Sequence, residues 1–253
     1  MLLTVDIGNS DIVIGVYDAD RWSHLWRIPA RTDQPELYYG IKVREFFFEA
    51  RLQPAQVEKI ILSSVVPALT DRIRNVIRGL FDKEAIVLGP AIYPRLPIGV
   101  LNPYEIGSDL VANALAAWLR FNRACVVVDF GTALTFTAID SKGAIAGVAI
   151  LPGLKTAIRS LSQNTAKLFD VPLEMPASML GRNTVNAIQA GVLGGYEGLV
   201  RSLGDKIRAE LGGNAAIIAT GGLSAVITPL QDYFDAIDTN LTLEGIRRVG
   251  EFT

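Results

Sequence analysis

Two widely separated stretches of the chain carry the same order of apolar and polar positions. In the first, Leu2 to Val5 form a short apolar run that stops at Asp6. The run resumes in β-branched and aromatic residues from Ile12 to Tyr17 and closes in the acidic turn Asp18-Ala19-Asp20. Residues 21–29 predict a third strand that completes a meander. In the second stretch, "ACVVVDFGTALTFTAIDSKGAIAGVAIL" from Ala124 to Leu151 repeats strand, loop, strand, turn, strand. Each half continues with helical spacing. Residues 36–52 have Leu37, Ile41, Phe46 and Phe48 among their apolar positions, and residues 70–81 read as a second helix. Residues 59–67 predict a buried strand ending in a loop, and residues 84–89 another strand. A loop rich in proline and glycine covers 89–103, before a strong helical pattern over 105–121. In the second half, helices are expected around 153–169 and 183–211, with a strand at 215–222 that ends in glycines. The expectation is a duplicated α/β unit with mixed sheets, divided near the helix at 107–121 into residues 1–115 and 116–253.

Composition narrows the classes. The chain has 253 residues, half of them hydrophobic, with a net charge of −2 and no basic stripe of the kind nucleic-acid binding requires. The single cysteine, Cys125, excludes an internal disulfide or a cysteine-based zinc cluster, and fits a reducing cytoplasm. Residues 1–8 have no basic region, and their apolar run is cut at Asp6, so they read as a strand and not a leader. No run reaches the roughly 18 apolar residues of a membrane span. The lone histidine, His24, lies between tryptophans with no partner motif and reads as structural.

The repeated phrase carries the chemistry. After a buried strand, Asp-x-Gly leaves a carboxylate at the mouth of the fold. The glycine lets backbone amides approach a phosphate with no Cβ in the way. Asn9 and Ser10 in one copy, and Thr132 and Thr135 in the other, offer further donors. A carboxylate beside polyphosphate is repulsive unless a cation lies between them. Asp6 or Asp129 therefore points to a metal ion, magnesium with retained waters being the usual one. A lone Asp-x-Gly is an ordinary hairpin turn; two copies in the same strand context predict one nucleotide cleft, clamped from both sides. The glycine turn in "ATGGLS", with Gly221 and Gly222, offers a seat for adenosine.

With these phrases in view, the chain resembles the type III pantothenate kinases of the actin, Hsp70 and sugar-kinase superfamily. The resemblance runs through "DIGNSDIVIG" at Asp6, "SSVVP" at Ser63, "NPYEIGSDLVANALAA" at Asn102, "VVVDFGTALTF" at Val126 and "LPG" at Leu151. It continues through "GRNTVNAIQAG" at Gly181, "ATGGLS" at Ala219 and "LTLEGI" at Leu241. It implies duplicated ribonuclease H-like, actin-like ATPase domains around a nucleotide cleft. It also implies transfer of the γ-phosphate of ATP to the primary hydroxyl of pantothenate, the first committed step toward coenzyme A. Asp6, Ile7, Gly8, Asn9, Ser10, Asp11, Ile12 and Val13 match the family's phosphate loop, and Thr132 an ATP-contacting hydroxyl. Asp109 matches the general base. Asp129 matches the residue that holds a monovalent cation, potassium or ammonium, and Asp6 would reach magnesium through water. Val100, Gly107, Ser108, Asp109 and Leu110 fall on the acceptor side. Thr184 matches a residue that closes on the acceptor at a homodimer interface.

The acceptor side departs from the family pattern. Leu110 stands where the family carries arginine, and Val100 and Leu101 stand where it carries Tyr-Asp. "GVAILPG", with Val148 and Leu151, replaces a segment of smaller residues. On the nucleotide side, Ser10 is a mild variant and Leu134 replaces a threonine. One charge-assisted hydrogen bond is worth about 1.5–3 kcal/mol, or roughly ten- to over a hundred-fold in affinity or rate. Three readings follow: a pantothenate kinase with a rearranged acceptor pocket, a related kinase for a less polar alcohol, or a weakly catalytic nucleotide-binding regulator.

Overall fold

The first apolar stretch folds as a meander in the computed structural model, which describes residues 1–253. β1 (Leu2–Ile7) pairs antiparallel with β2 (Asp11–Asp18), which pairs antiparallel with β3 (Arg21–Pro29). The turn between β2 and β3 holds Ala19 and Asp20 at φ 47° and 58°. Two consecutive left-handed residues match the right-handed twist of the strands they join. β4 (Lys59–Ser64) joins β1 in parallel, and the short β5 (Ile86–Val87) extends the sheet in the order β3-β2-β1-β4-β5. The parallel steps need crossovers, supplied by α1 (Glu36–Glu49) and α2 (Pro67–Phe81). α2 starts three residues before the expected Thr70, because Pro67 costs nothing at the first helical position. The buried face of α1 is Tyr39, Val43 and Phe47, one step round from the stripe read in the sequence. Leu37 and Phe48 are 69% and 85% exposed. α3 (Ser108–Phe121) follows the proline-rich loop.

The second stretch repeats this plan. β6 (Cys125–Phe130), β7 (Ala133–Ile139) and β8 (Ile145–Pro152) form the meander, and β9 (Ala216–Thr220) and β10 (Ala236–Ile237) add in parallel. The order β8-β7-β6-β9-β10 matches the first sheet strand for strand. α4 (Leu154–Asn164) stops short of the expected 169, and residues 165–183 form no regular element. The expected helix over 183–211 is three segments: α5 (Thr184–Gln189), a π-helical turn at Ala190–Gly194, and α6 (Gly195–Glu210). The chain closes with α7 (Leu241–Val249).

The chain divides into two compact units, residues 1–116 with 242–253, and residues 117–241. The sequence reading left the final segment with the second half, yet it packs on the first unit. Lys59 Nζ donates to the carbonyls of Gly250, at 2.6 Å, and Thr253, at 2.5 Å. The Arg247 guanidinium lies 4.4 Å from the Tyr17 ring centre, and a Cβ on Gly245 would overlap the Ala112 carbonyl. Each unit has its own core. The first buries alternate residues of β1, β2 and β4 against α1 and α2, and the second buries Val126, Val128, Phe136 and Ile217 against Leu193 and Val200. His24 stacks on Trp26 at 5.3 Å, as a structural residue would. No helix is long and apolar enough to cross a membrane.

Candidate active site

In the first unit, β1 delivers Asp6 to the end of the sheet. Gly8 N donates to Asp11 O at 3.0 Å and closes a three-residue turn whose tip, Asn9 and Ser10, is exposed. A Cβ on Gly8 would lie 3.2 Å from that same carbonyl, so the turn tightens only with glycine or a small shift. Ser10 O accepts from Ala30 N at 2.9 Å, which ties the tip to the end of β3. Ile7 and Ile12 are core residues, while Asp11 is half-buried with a loose ion pair to Arg27 at 3.9 Å. The register sets Asp6 between Val13 on β2 and Ser63 on β4.

Ser63 leads to the second element of this unit. Its hydroxyl lies 2.9 Å from that of Ser108, the first residue of α3. The Ser108 hydroxyl also accepts from Ser64 N and donates to Ser64 O, both at 3.1 Å. Ser108 is 5% exposed, so its hydroxyl is committed to anchoring α3 on the end of β4. The next residue, Asp109, keeps partial access to solvent, and its Oδ1 accepts from Leu110 N at 2.8 Å. Burial raises the Asp109 pKa above the ordinary carboxylate value, and the hydrogen bonds from the amides of the first helical turn oppose the rise. A helix N-terminus holds such a carboxylate in place while burial makes it a better proton acceptor. Leu110 turns inward and is 8% exposed; Val100 is half-buried and Leu101 exposed.

In the second unit, Asp129 holds the place that Asp6 has in the first. The following turn is closed by Gly131 N donating to Ala133 O at 3.1 Å. Thr132 O accepts from Gly153 N at 3.0 Å and from the Thr156 hydroxyl at 2.9 Å, which binds the turn to the start of α4. Asp129 lies in register between Thr135 on β7 and Thr220 on β9. The hydroxyls of Thr135 and Thr220 are both buried with no hydrogen-bond partner. Gly221 follows at φ +90°, where an added Cβ would run into the Asp129 carboxylate and the Phe130 carbonyl; Gly222 is exposed and unhindered. Thr184 begins α5 and is exposed, behind the cap formed by Asn186 N donating to Asn183 Oδ1 at 2.9 Å. An apolar cavity of about 290 Å³ opens between β7, β8 and α6. Phe136 and Ala138 line it, on the opposite face of β7 from Thr135, with Glu210 as its one charged group. It has nothing to hold a polyphosphate. No three His, Cys, Asp or Glu side chains converge as a chelating metal centre.

The family profile of type III pantothenate kinase matches residues 2–206. The chain belongs to that family. The type III pantothenate kinase of Geobacter sulfurreducens is 40% identical over 247 residues, 98% of this chain and 97% of its own length. Among solved structures, MreB 5 of Spiroplasma citri bound to AMPPNP aligns with a TM-score of 0.59 at 11% identity, over 99% of this chain and 96% of its own. The polyphosphate/ATP-glucomannokinase of an Arthrobacter strain aligns at 0.54 and 13% identity, over 99% and 98%. At such identities the likeness speaks for the fold alone: this type III pantothenate kinase family member has the duplicated actin-like ATPase fold. The sequence reading missed three residues that the structure brings to these sites. Thr220 and the hydroxyl role of Ser63 depend on parallel strand pairing across more than fifty residues. Tyr93 lies in the loop before α3, close enough to Asp109 to sense its charge. An aromatic inside a proline- and glycine-rich loop was the available signal for it.

Proposed function

We propose that the protein phosphorylates pantothenate, with Asp109 as the general base. The observation that carries this is the anchored Asp109: a partly accessible carboxylate fixed at the start of α3 by the Ser63–Ser64–Ser108 bonds and raised in pKa by burial. In the reaction, the primary hydroxyl oxygen of pantothenate bonds to the γ-phosphorus of ATP. The bond from that phosphorus to the β,γ-bridging oxygen breaks, ADP departs, and the hydroxyl proton passes to the Asp109 carboxylate. Such transfers depend on positioning and charge neutralisation more than on covalent chemistry. Asp6 to Val13, Thr132, Gly221 and Gly222 are the proposed ATP contacts; Val100, Gly107, Leu110 and Thr184 are proposed for the acceptor side. Ser108 acts through Asp109 in this reading, since its hydroxyl is committed to β4.

Magnesium, when bound with its waters, would neutralise phosphate charge next to Asp6. The residues around Asp129 suit a monovalent cation. One carboxylate and two buried, unpartnered hydroxyls, Thr135 and Thr220, give an oxygen-only donor set of low charge. A homodimer is also proposed, through the irregular segment 165–183 that leads to Thr184. Phe169, Met179 and Leu180 are exposed there, apolar surface that a second copy would cover. Sedimentation showing a monomer at micromolar concentration would remove both the dimer and the role of Thr184.

The test is ATP-dependent phosphate transfer by the purified protein against pantothenate and a panel of less polar primary alcohols, with Asp109→Asn as control. Transfer to pantothenate that disappears in the control supports the proposal. A less polar acceptor is the second reading, favoured by the apolar Val100 and Leu110. It prevails if a panel alcohol has the higher kcat/KM.

A further inference from the structure

In each unit the Asp-x-Gly turn is held from the same place, the exit of the third meander strand. β3 and β8 both end in proline, Pro29 and Pro152, and each proline pairs with the first residue after its turn, Asp11 or Ala133. Just past β3, Ala30 N donates to Ser10 O at 2.9 Å; just past β8, Gly153 N donates to Thr132 O at 3.0 Å. Each strand exit is in turn fixed by a tyrosine hydroxyl. Tyr39 on α1 donates to Arg31 O at 2.6 Å and accepts from Arg31 N at 3.0 Å. Tyr196 on α6 donates to Pro152 O at 2.6 Å.

The second clasp is the more direct. The Pro152 carbonyl and the Gly153 amide belong to one peptide group, which is planar and rigid. It accepts from Tyr196 at one end and donates to Thr132 at the other, so a displacement of the phenol passes straight to the turn. A Cβ on Gly153 would overlap the carbonyls of Gly131 and Thr132, so this peptide lies against the turn itself. In the first unit the hold is one peptide longer: Tyr39 fixes both polar backbone groups of Arg31, and the preceding Ala30 bonds to Ser10. The tips of both turns, Asn9 with Ser10 and Gly131 with Thr132, are exposed, so it is backbone bonds and not packing that hold them. The tyrosines come from unlike elements, eight and 44 residues after the carbonyls they hold. The likeness is therefore no by-product of the repeated meander, which ends before either tyrosine.

We propose that Tyr39 and Tyr196 are positioning residues for the triphosphate of ATP: each phenol, acting through its strand exit, holds one Asp-x-Gly turn in its phosphate-binding form before the nucleotide arrives. A turn fixed beforehand has less freedom to lose on binding. The inference rests on the reading of Asp6 to Val13 and of Thr132 as ATP contacts.

The experiment is calorimetric titration of AMPPNP with magnesium into wild type, Tyr39→Phe, Tyr196→Phe and a control, Tyr233→Phe. Phenylalanine keeps each ring and removes one hydroxyl. The Tyr233 hydroxyl is also bonded, to Arg201 O at 3.2 Å and Asp205 Oδ1 at 2.9 Å, and neither bond leads to a turn. All three variants should melt below wild type. AMPPNP affinity should fall roughly three- to ten-fold in Tyr39→Phe and Tyr196→Phe, the worth of about one neutral hydrogen bond, and stay within about two-fold of wild type in Tyr233→Phe. If Tyr39→Phe does not fold, Tyr196→Phe alone decides. A folded variant of either tyrosine that binds AMPPNP as wild type does overturns the clasp in its unit. An equal loss in Tyr233→Phe reduces the effect to general stability and overturns it in both. Asp6→Asn and Thr132→Ala separate these outcomes from failure of the underlying reading. If they weaken AMPPNP and the tyrosine variants do not, only the clasp falls. If none of the four changes the affinity, or wild type binds no AMPPNP, the turns are not the phosphate site and the clasp falls with them.

Discussion

Gly221 and Gly222 are adjacent in one glycine turn, and alanine at each should have opposite consequences. At Gly221, φ is +90°, a conformation that residues with a Cβ rarely adopt and that costs about 1–2 kcal/mol. A Cβ there would lie 2.6 Å from Asp129 Oδ1 and 2.7 Å from both the carbonyl carbon and oxygen of Phe130. Two of those three contacts are backbone atoms of the central strand β6 and have no rotamer to escape into. Overpacking of this kind adds about 1–3 kcal/mol, so Gly221→Ala should destabilise the protein by about 2–5 kcal/mol. At about 2–4 °C per kcal/mol for a chain of this size, the melting temperature should fall by roughly 4–20 °C. At Gly222 there is no positive φ and nothing within 4 Å of an added Cβ. Gly222→Ala should remain within about 0.5 kcal/mol of wild type. Urea denaturation of the two variants against wild type measures both effects. Because the Gly221 clash also pushes on the Asp129 carboxylate, the variant should lose phosphotransfer under conditions where it is still folded. Equal stability of the two alanine variants would refute the geometry of this turn.

Three further outcomes follow. Asp109→Asn should abolish transfer while leaving ATP binding intact, and it should also stabilise the fold at neutral pH. Burial raises the folded pKa of Asp109, so its ionised form is disfavoured in the native state; the relative gain of the variant should shrink as pH falls from the raised folded pKa toward the ordinary aspartate value of 3.8 and be gone below it, as thermal melts from pH 3 to 8 would record. Ser108→Ala strands the buried Ser63 hydroxyl and Ser64 N, so it should cost about 1–3 kcal/mol in denaturation and lower kcat more than it alters the KM for ATP. Thr220→Val removes a buried hydroxyl that has no protein partner. Its melting temperature in choline buffer should equal or exceed that of wild type, whereas potassium should raise the melting temperature of wild type only; an equal potassium response in both would exclude Thr220 from the cation site.

By itself the sequence determined whatever local pattern controls. Alternation and acidic turns set both meanders, and the hairpins leave Asp6 and Asp129 at strand ends because an antiparallel pair joined by a short turn allows little else. The repeated Asp-x-Gly phrase announced the duplication, and Gly-Ser-Asp before an apolar helical pattern marked the start of α3 to within a residue or two. The tertiary structure decided what depends on pairing between distant segments and on the direction in which a side chain leaves its element. Parallel pairing of β1 with β4 and of β6 with β9 set Ser63 beside Asp6 and Thr220 beside Asp129, and no local period encodes that register. The rotation of α1 was left open because Leu37, Ile41 and Phe48 are as apolar as Tyr39, Val43 and Phe47; only packing against α2 and the sheet chose between the stripes. In the first turn of α3, successive residues point about 100° apart. Ser108 therefore turns to β4, Asp109 keeps contact with solvent and Leu110 enters the core, although all three read as one acceptor-side motif. Tyr93 lies sixteen positions before Asp109, in a loop without periodicity. The Asp109 charge nevertheless reaches it, in a loop whose Leu96 and Ile98 are buried in the folded core, which no stretch of sequence expresses alone.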